Sequence, residues 1–251
     1  MGPLQFILVL MVLAGLVADE IVRMAVKGGI TFNNFERIAF VIVSTIGLLA
    51  LTDSVIVYNI YSILYILIYG IFFLFFKQSN SFSKLGVMGF GYFYISMFYG
   101  SSVLIVKMGW EYTFWVMILV WAYDSFAYFV GSAYGKHKIF KSISPSKSLE
   151  GTIAGLVTST FAGVLVPFLV NSYSHHFLNF SAWQGALIGA IVGIAAQVGD
   201  LFESKIKRNV GVKDSSNIIP GHGGVFDRID SMFYALPSFF LIVQLFLKFK
   251  H

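Results

Sequence analysis

The sequence predicts an all-α, polytopic membrane bundle, and three observations predict it. The chain is 57% hydrophobic with mean hydropathy +0.81, above the roughly 45–50% apolar content of soluble domains. Only 12% of its residues are charged, about half the usual share, so charge is something this chain places selectively. Apolar residues gather in windows near 3–18, 38–52, 55–76, 86–106, 112–135, 152–172, 182–202 and 229–247, several of them matching the roughly 20 residues that cross a hydrocarbon core. The expected count is about eight transmembrane helices, with nine as the alternative. They form a single transmembrane domain over 1–251 that leaves no room for a separate soluble one. Cysteine is absent, which excludes a disulfide framework, a thiolate nucleophile and a cysteine-ligated metal. No repeat of solenoid period and no heptad is visible.

Taken in order, the first window has no basic residue before it and no small residues at cleavage spacing, so it reads as a retained span rather than a signal peptide. The second window is short: 38–52 rises only about 22 Å, less than the roughly 30 Å core. The connections alternate in charge. Arg23, Lys27 and Arg37 fall in 19–37, Lys77 and Lys84 in 77–85, four lysines in 136–151, and Lys205, Lys207, Arg208, Lys213 and Arg228 in 203–228. Those four connections hold fourteen of the seventeen Lys and Arg, while 173–181 holds none. By the positive-inside rule they are cytoplasmic and both termini lie outside. The expected location is the cell (inner) membrane, multi-pass, with the active face in the cytoplasm.

Polar chemistry concentrates in two stretches on that face. One is Gly131 to Gly151, where Ser144-Pro145-Ser146-Lys147-Ser148-Leu149-Glu150-Gly151 leads into a helix. Ser148 suits an N-cap; Lys147 and the hydroxyls equally suit contacts to phosphate. The other is 197–231. Gln197, Asp200, Ser204 and Lys207 follow at helical spacing and share one face, and such a stripe in a membrane helix points into protein or a wet cavity. The glycine-rich turn Pro220-Gly221-His222-Gly223-Gly224 then offers open backbone N–H groups of the kind that suit phosphate, although a plain tight turn explains it too. Asp227 and Asp230 stand one turn apart at the start of the last span. With Asp200 they give carboxylates at the ends of two consecutive helices, a donor set that suits Mg²⁺. Lys207, Arg208, Lys213 and Arg228 are the natural counter-charges for a polyphosphate. Asp124 lies within the fifth span, where an acid must face protein or water. Structural pairing, with Tyr128 sharing its face, and a role in the site are both open. His175 and His176 lie on the opposite side from the acids, and the aromatic run Tyr69 to Phe76 reads as packing or lipid-facing surface.

The run Ser204-x-Ile206-Lys207-Arg208, Lys213-Asp214-x-Ser216, Ile219-Pro220-x-His222-Gly223-Gly224-Val225-x-Asp227-Arg228-Ile229-Asp230 resembles the pattern of the phosphatidate cytidylyltransferase (CDP-diacylglycerol synthase) family. The word Ser144-Pro145-x-Lys147-Ser148-x-Glu150-Gly151 and Gln197-x-Gly199-Asp200-Leu201 are similar to that family as well. The resemblance covers about 110–235, with 1–110 matching only as generic spans. It implies transfer of CMP from CTP to phosphatidic acid, giving CDP-diacylglycerol and pyrophosphate, with Mg²⁺ and with Asp200 and Asp227 linked to the metal. The expected catalytic residues are Asp200, Asp227, Lys213, Asp214, Ser204, Lys207, Arg208, His222 and Asp230. Ser144, Lys147, Ser148, Glu150, Gly223, Gly224, Arg228 and Asp124 are expected to bind substrate. Expected partners are CTP, phosphatidic acid and the bilayer, with a homodimer as the expected assembly if the chain associates; no nucleic acid is expected. A CTP-dependent lipid kinase and an ether-lipid cytidylyltransferase are the nearest alternatives. A transporter is a more distant one, because the charge gathers at one face rather than along a path.

Overall fold

A computed structural model describes residues 3–53, 63–64, 67, 71, 81–173 and 178–249. Most of the span expected over 55–76, Lys77, most of the aromatic run and both His175 and His176 fall outside the described residues. Helices α1 (Pro3–Lys27), α2 (Asn34–Asp53), α3 (Ser81–Met108), α4 (Trp110–Tyr134), α5 (Leu149–Tyr173), α6 (Ala182–Asn209), the single turn α7 (Phe226–Ile229) and α8 (Met232–Lys248) follow in order. The described residues contain no strand, only two isolated bridges, Lys138 with Ser148 and Ile219 with Gly223. Six helical segments among them are long and apolar enough to cross a membrane: Gln5–Lys27, Phe82–Met108, Trp110–Tyr134, Leu149–Ser172, Ala182–Asn209 and Phe226–Lys248. Their outward faces are apolar, as Val12, Val157, Phe168 and Leu241 show, each more than 60% exposed. A bilayer is the solvent in which such faces cost nothing.

The chain forms two compact units. The first comprises Met1–Val103 and Ile206–Ile229, the second Leu104–Lys205 and Asp230–His251.

In the first unit α1 outlasts its apolar window. The helix continues to Lys27 because the charges at its end find protein partners: Asp19 pairs with Arg23 at 2.6 Å and also with Arg37. The expected 19–37 connection therefore shrinks to 28–33. Asn33 and Glu36 open α2 with reciprocal bonds, Glu36 N–H to Asn33 Oδ1 at 2.7 Å and Asn33 N–H to Glu36 Oε2 at 2.9 Å, a capping box. Glu36 also accepts Lys84 Nζ at 2.9 Å. Lys84 is thus not the loop residue the charge pattern suggests: it sits on α3, fully buried, with its ammonium 5.5 Å from the Phe32 ring centroid. Buried lysines persist only when paired in this way.

The second unit is organised by small residues. Along α5, Gly151, Gly155, Ser159 and Gly163 recur every fourth position, as do Gly185, Gly189 and Gly193 on α6. A Cβ on Gly151 would sit 3.0 Å from Gly131 Cα on α4, and one on Gly163 would sit 3.0 Å from Gly189 Cα on α6. Membrane helices gain little from the hydrophobic effect when they pair; close backbone approach through small residues replaces it. Trp115, fully buried, meets Phe239 of α8 edge-on at 5.3 Å.

Candidate functional site

In the second unit the end of α6 carries the polar stripe. Gln197 is buried and accepts the Tyr123 hydroxyl of α4. One turn on, Asp200 Oδ2 lies 2.6 Å from Lys147 Nζ, and its Oδ1 accepts Ser204 Oγ at 3.3 Å. Lys147 comes from the 135–148 connection, which is braced at both ends. Leu149 N–H donates to His137 O at 2.9 Å, and Glu150 accepts the His137 N–H at 3.2 Å and faces its Nδ1 at 2.6 Å. Ser148 is buried and its Oγ accepts Gly151 N–H at 3.2 Å, capping α5. Of the two roles its sequence position allowed, the cap is the one its contacts display. Ser144 is half-buried, its Oγ 3.5 Å from that of Ser146.

Asp124 accepts Ser231 Oγ at 3.3 Å, and Asp200 and Lys147 are its charged neighbours. Tyr128 does not share its environment: that ring is 70% exposed and lies against Phe129. Asp230 Oδ1 accepts the Ser231 N–H at 2.7 Å where the chain breaks between α7 and α8. A Cβ on Gly199 would lie 2.6 Å from Asp230 O, so glycine lets α6 pass this break. Asp124, Asp200, Lys147, Ser204 and Ser231 are thereby assembled from α4, α6, one connection and the start of α8.

In the first unit the 210–225 connection is built around two carboxylates. α6 ends in a left-handed residue, Gly211 (φ 74°), with Val212 N–H returning to Lys207 O at 2.9 Å, the closure typical of a glycine C-cap. Asp227 Oδ1 accepts Lys207 Nζ at 2.6 Å, and its Oδ2 accepts Ser215 N–H at 2.9 Å, Ser215 Oγ at 2.8 Å and Gly224 N–H at 2.7 Å. Lys207 is buried and does not snorkel. The second carboxylate belongs to Glu20 of α1, which is wholly buried. It accepts Ser216 Oγ at 2.7 Å, Val225 N–H at 2.9 Å and Phe226 N–H at 2.8 Å, with Ser215 Oγ at 3.1 Å.

The backbone amides of Gly224, Val225 and Phe226, which the glycine-rich sequence leaves open to phosphate, are therefore engaged by the protein's own acids. Gly223 has φ 82°, and a Cβ there would meet Asp227 Oδ2 at 2.6 Å. The remaining polar side chains of this connection point outward. Lys213, Asp214, His222 and Arg228 are exposed, as is Arg208, whose Nη1 donates to Val212 O at 3.2 Å; His222 Nδ1 faces Pro220 O at 3.1 Å.

Glu20 is the residue that sequence reasoning missed. Its one signal was an acid carried inside an apolar helical run, which in a membrane chain marks a group with a partner.

Asp200 and Asp227 lie in different units. Among the described residues no cluster of three or more His, Asp or Glu forms a ready-made cation cage. Mg²⁺ does not need one, since it takes one or two carboxylates and fills its shell with water and substrate oxygens. Asp200 fits that donor chemistry, with a single protein partner on each carboxylate oxygen and a second acid, Asp124, nearby.

Six apolar helical segments of membrane-crossing length among the described residues define a multi-pass membrane protein. More narrowly, the chain belongs to the cytidylyltransferase family, whose model matches residues 1–246. That match takes in the N-terminal third, which by its sequence words alone looked like generic spans. The chain is 38% identical over 159 residues to the phosphatidate cytidylyltransferase of Staphylococcus haemolyticus, covering 63% of this chain and 55% of that protein. It is 34% identical over 173 residues to that of Bacillus subtilis, covering 68% and 62%. It is 48% identical over 126 residues to that of Haemophilus influenzae, covering 50% and 43%. The aligned chain thus spans about half the length of these curated relatives.

Proposed function

We propose that this protein transfers CMP from CTP to phosphatidic acid, releasing pyrophosphate and leaving CDP-diacylglycerol in the membrane. The observation that carries the reading is the 27-residue run Ser204 to Asp230. Its three acids, at 214, 227 and 230, and its basic residues stand at and just beyond the end of a membrane helix, within a chain whose relatives bear this enzyme's name.

In the reaction an ionised oxygen of the lipid phosphate attacks the α-phosphorus of CTP while the bond to the departing pyrophosphate breaks. A phosphate monoester is already largely ionised near pH 7, with a second pKa of about 6, so no strong general base is required. The work is positioning and charge stabilisation. Lys213, Arg208 and Arg228, exposed on the connection, are suited to reach a triphosphate. Lys207 is oriented by Asp227, and Lys147 sits against Asp200 where an incoming phosphate would compete for its ammonium. Ser204 steadies Asp200, and Asp230 and Asp214 stand by as further acids. Gly223 and Gly224 shape the turn, while His222 orders it or meets phosphate. Ser144, Ser148 and Glu150 keep Lys147 in place. Asp200 and Asp227 are the acids we assign to Mg²⁺, each tested by itself: Asp200 carries one protein partner on each oxygen, whereas at Asp227, whose Oδ2 already accepts three donors, Lys207 would have to yield Oδ1; bound there, the ion would supply positive charge against the triphosphate and the leaving pyrophosphate.

The active face is read as cytoplasmic, because basic residues crowd the connections that bear the site and CTP is a cytosolic substrate. With eight spans, the described six plus those expected over 38–52 and 55–76, both termini face outside. A homodimer is the assembly that cross-linking in membranes would test.

The experiment is purified protein supplied with labelled CTP and phosphatidic acid, with and without Mg²⁺. Labelled CDP-lipid with release of pyrophosphate supports the reading. Release of CDP with a phosphorylated lipid would instead identify a lipid kinase.

A further inference from the structure

The Glu20 carboxylate gathers donors from both ends of one loop. Ser215 and Ser216 stand before the Pro220–Gly224 turn; Val225 and Phe226 stand after it. Each carboxylate oxygen has room for two hydrogen bonds, and each receives two donors here. Ser215 has a single hydroxyl proton to divide between Glu20 Oε2 at 3.1 Å and Asp227 Oδ2 at 2.8 Å. The two acids are thus joined through one hydroxyl. Residues 215–216 and 225–226 are cinched together on α1, and Asp227 follows directly. Gly224 completes the fit, because a Cβ there would lie 2.7 Å from the Glu20 carboxyl carbon. Tyr94 of α3 packs edge-on against the Phe226 ring at 6.0 Å, holding the far side of the same turn.

We propose that Glu20 is a positioning residue: from the first helix it clamps the loop 215–226 in the form that presents Asp227 with Lys207 and, on the exposed side, Lys213. The kinetic part of this inference rests on the cytidylyltransferase reading; the structural part does not. A carboxylate is required rather than any polar group, because each of its oxygens faces a backbone N–H that can only donate, Val225 on Oε1 and Phe226 on Oε2. Glutamine, of the same shape, turns an NH₂ toward one of these N–H groups.

The test is E20Q in the full-length protein, read in two ways. Hydrogen–deuterium exchange follows the amides of Val225 and Phe226 without any substrate. The expected result is exchange faster by at least about tenfold there, the size of effect from weakening one hydrogen bond to a charged group, with α4 and α5 exchanging as in wild type. Unchanged exchange at 225–226 overturns the proposal. In turnover, KM for CTP is expected to rise about tenfold while KM for phosphatidic acid stays within about twofold. A fall in kcat with both KM values unchanged is the mark of a smaller folded fraction and also overturns it. If E20Q does not insert, S216A removes one donor and leaves α1 intact; faster exchange at 225–226 supports the clamp, and wild-type exchange there overturns it. A wild type that shows no cytidylyl transfer sinks the functional reading alone, and the exchange result still decides Glu20.

Discussion

The ammonium of Lys147 lies 2.6 Å from Oδ2 of Asp200, with both side chains about a quarter exposed. The pair ties the 135–148 connection to the end of α6 and sets a cation against Asp200, with Asp124 within electrostatic reach of both. A partly exposed pair of this kind contributes about 0–1 kcal/mol to stability, so its larger consequence is for charge in the site.

K147A should accordingly lower transfer activity by at least about tenfold, as expected when a charge-assisted contact to phosphate goes, while the unfolding free energy changes by about 1 kcal/mol or less. Steady-state kinetics beside a thermal melt in detergent checks it. A large loss of stability with normal turnover of the surviving protein would make Lys147 a structural residue.

D200N and D227N should each lose at least about a hundredfold in turnover, the scale seen when a stabiliser of transition-state charge is removed. Chelation should abolish wild-type activity, and added Mg²⁺ should restore it. Full activity in both variants would remove the assignment of these acids to the metal and leave the reaction itself open. D227N has a second expected effect, faster amide exchange at Gly224 and Ser215, because the charged acceptor of three bonds is gone.

K84M should destabilise the protein by about 3–5 kcal/mol, since it strands the buried Glu36 carboxylate without its cation. K84M/E36Q should recover most of that loss, because glutamine keeps an oxygen for the Asn33 N–H and carries no charge. Denaturation of the three proteins measures both steps. No recovery in the double variant would mean that the lysine acts through packing rather than through the pair.

G189V should be costlier than its three added carbons suggest. A Cβ there would already press on the Ser159 and Thr160 backbone, 2.9 Å from Thr160 Cα. The helices must separate, at about 1–3 kcal/mol for overpacking. Lower yield of monodisperse protein and a lower melting temperature are the expected readouts; a wild-type melt would show that the seam can open freely.

Much of this was legible in the chain as written. Length and hydropathy determine that membrane-length helices form, because backbone polar groups in lipid must be satisfied within the segment itself. The spacing of Gln197, Asp200, Ser204 and Lys207 determines a shared inward face, and the run from Ser204 to Asp230 announces its family before any coordinate is known. Helix ends were less legible: hydropathy windows stop at the first charge, whereas α1 runs on past Asp19, Glu20 and Arg23 because those charges have partners.

Tertiary structure alone decided which partner each charge takes. Ser148 faces its own helix end, Glu150 faces His137, and Lys84 turns inward to Glu36. The amides of Val225 and Phe226 are claimed by an acid some two hundred residues away. Periodicity reports neighbours three or four positions apart on one helix. It carries no term for a hydrogen bond between α1 and a loop near the other end of the chain, and such bonds form only once packing has brought the two together and excluded the water that would otherwise satisfy them.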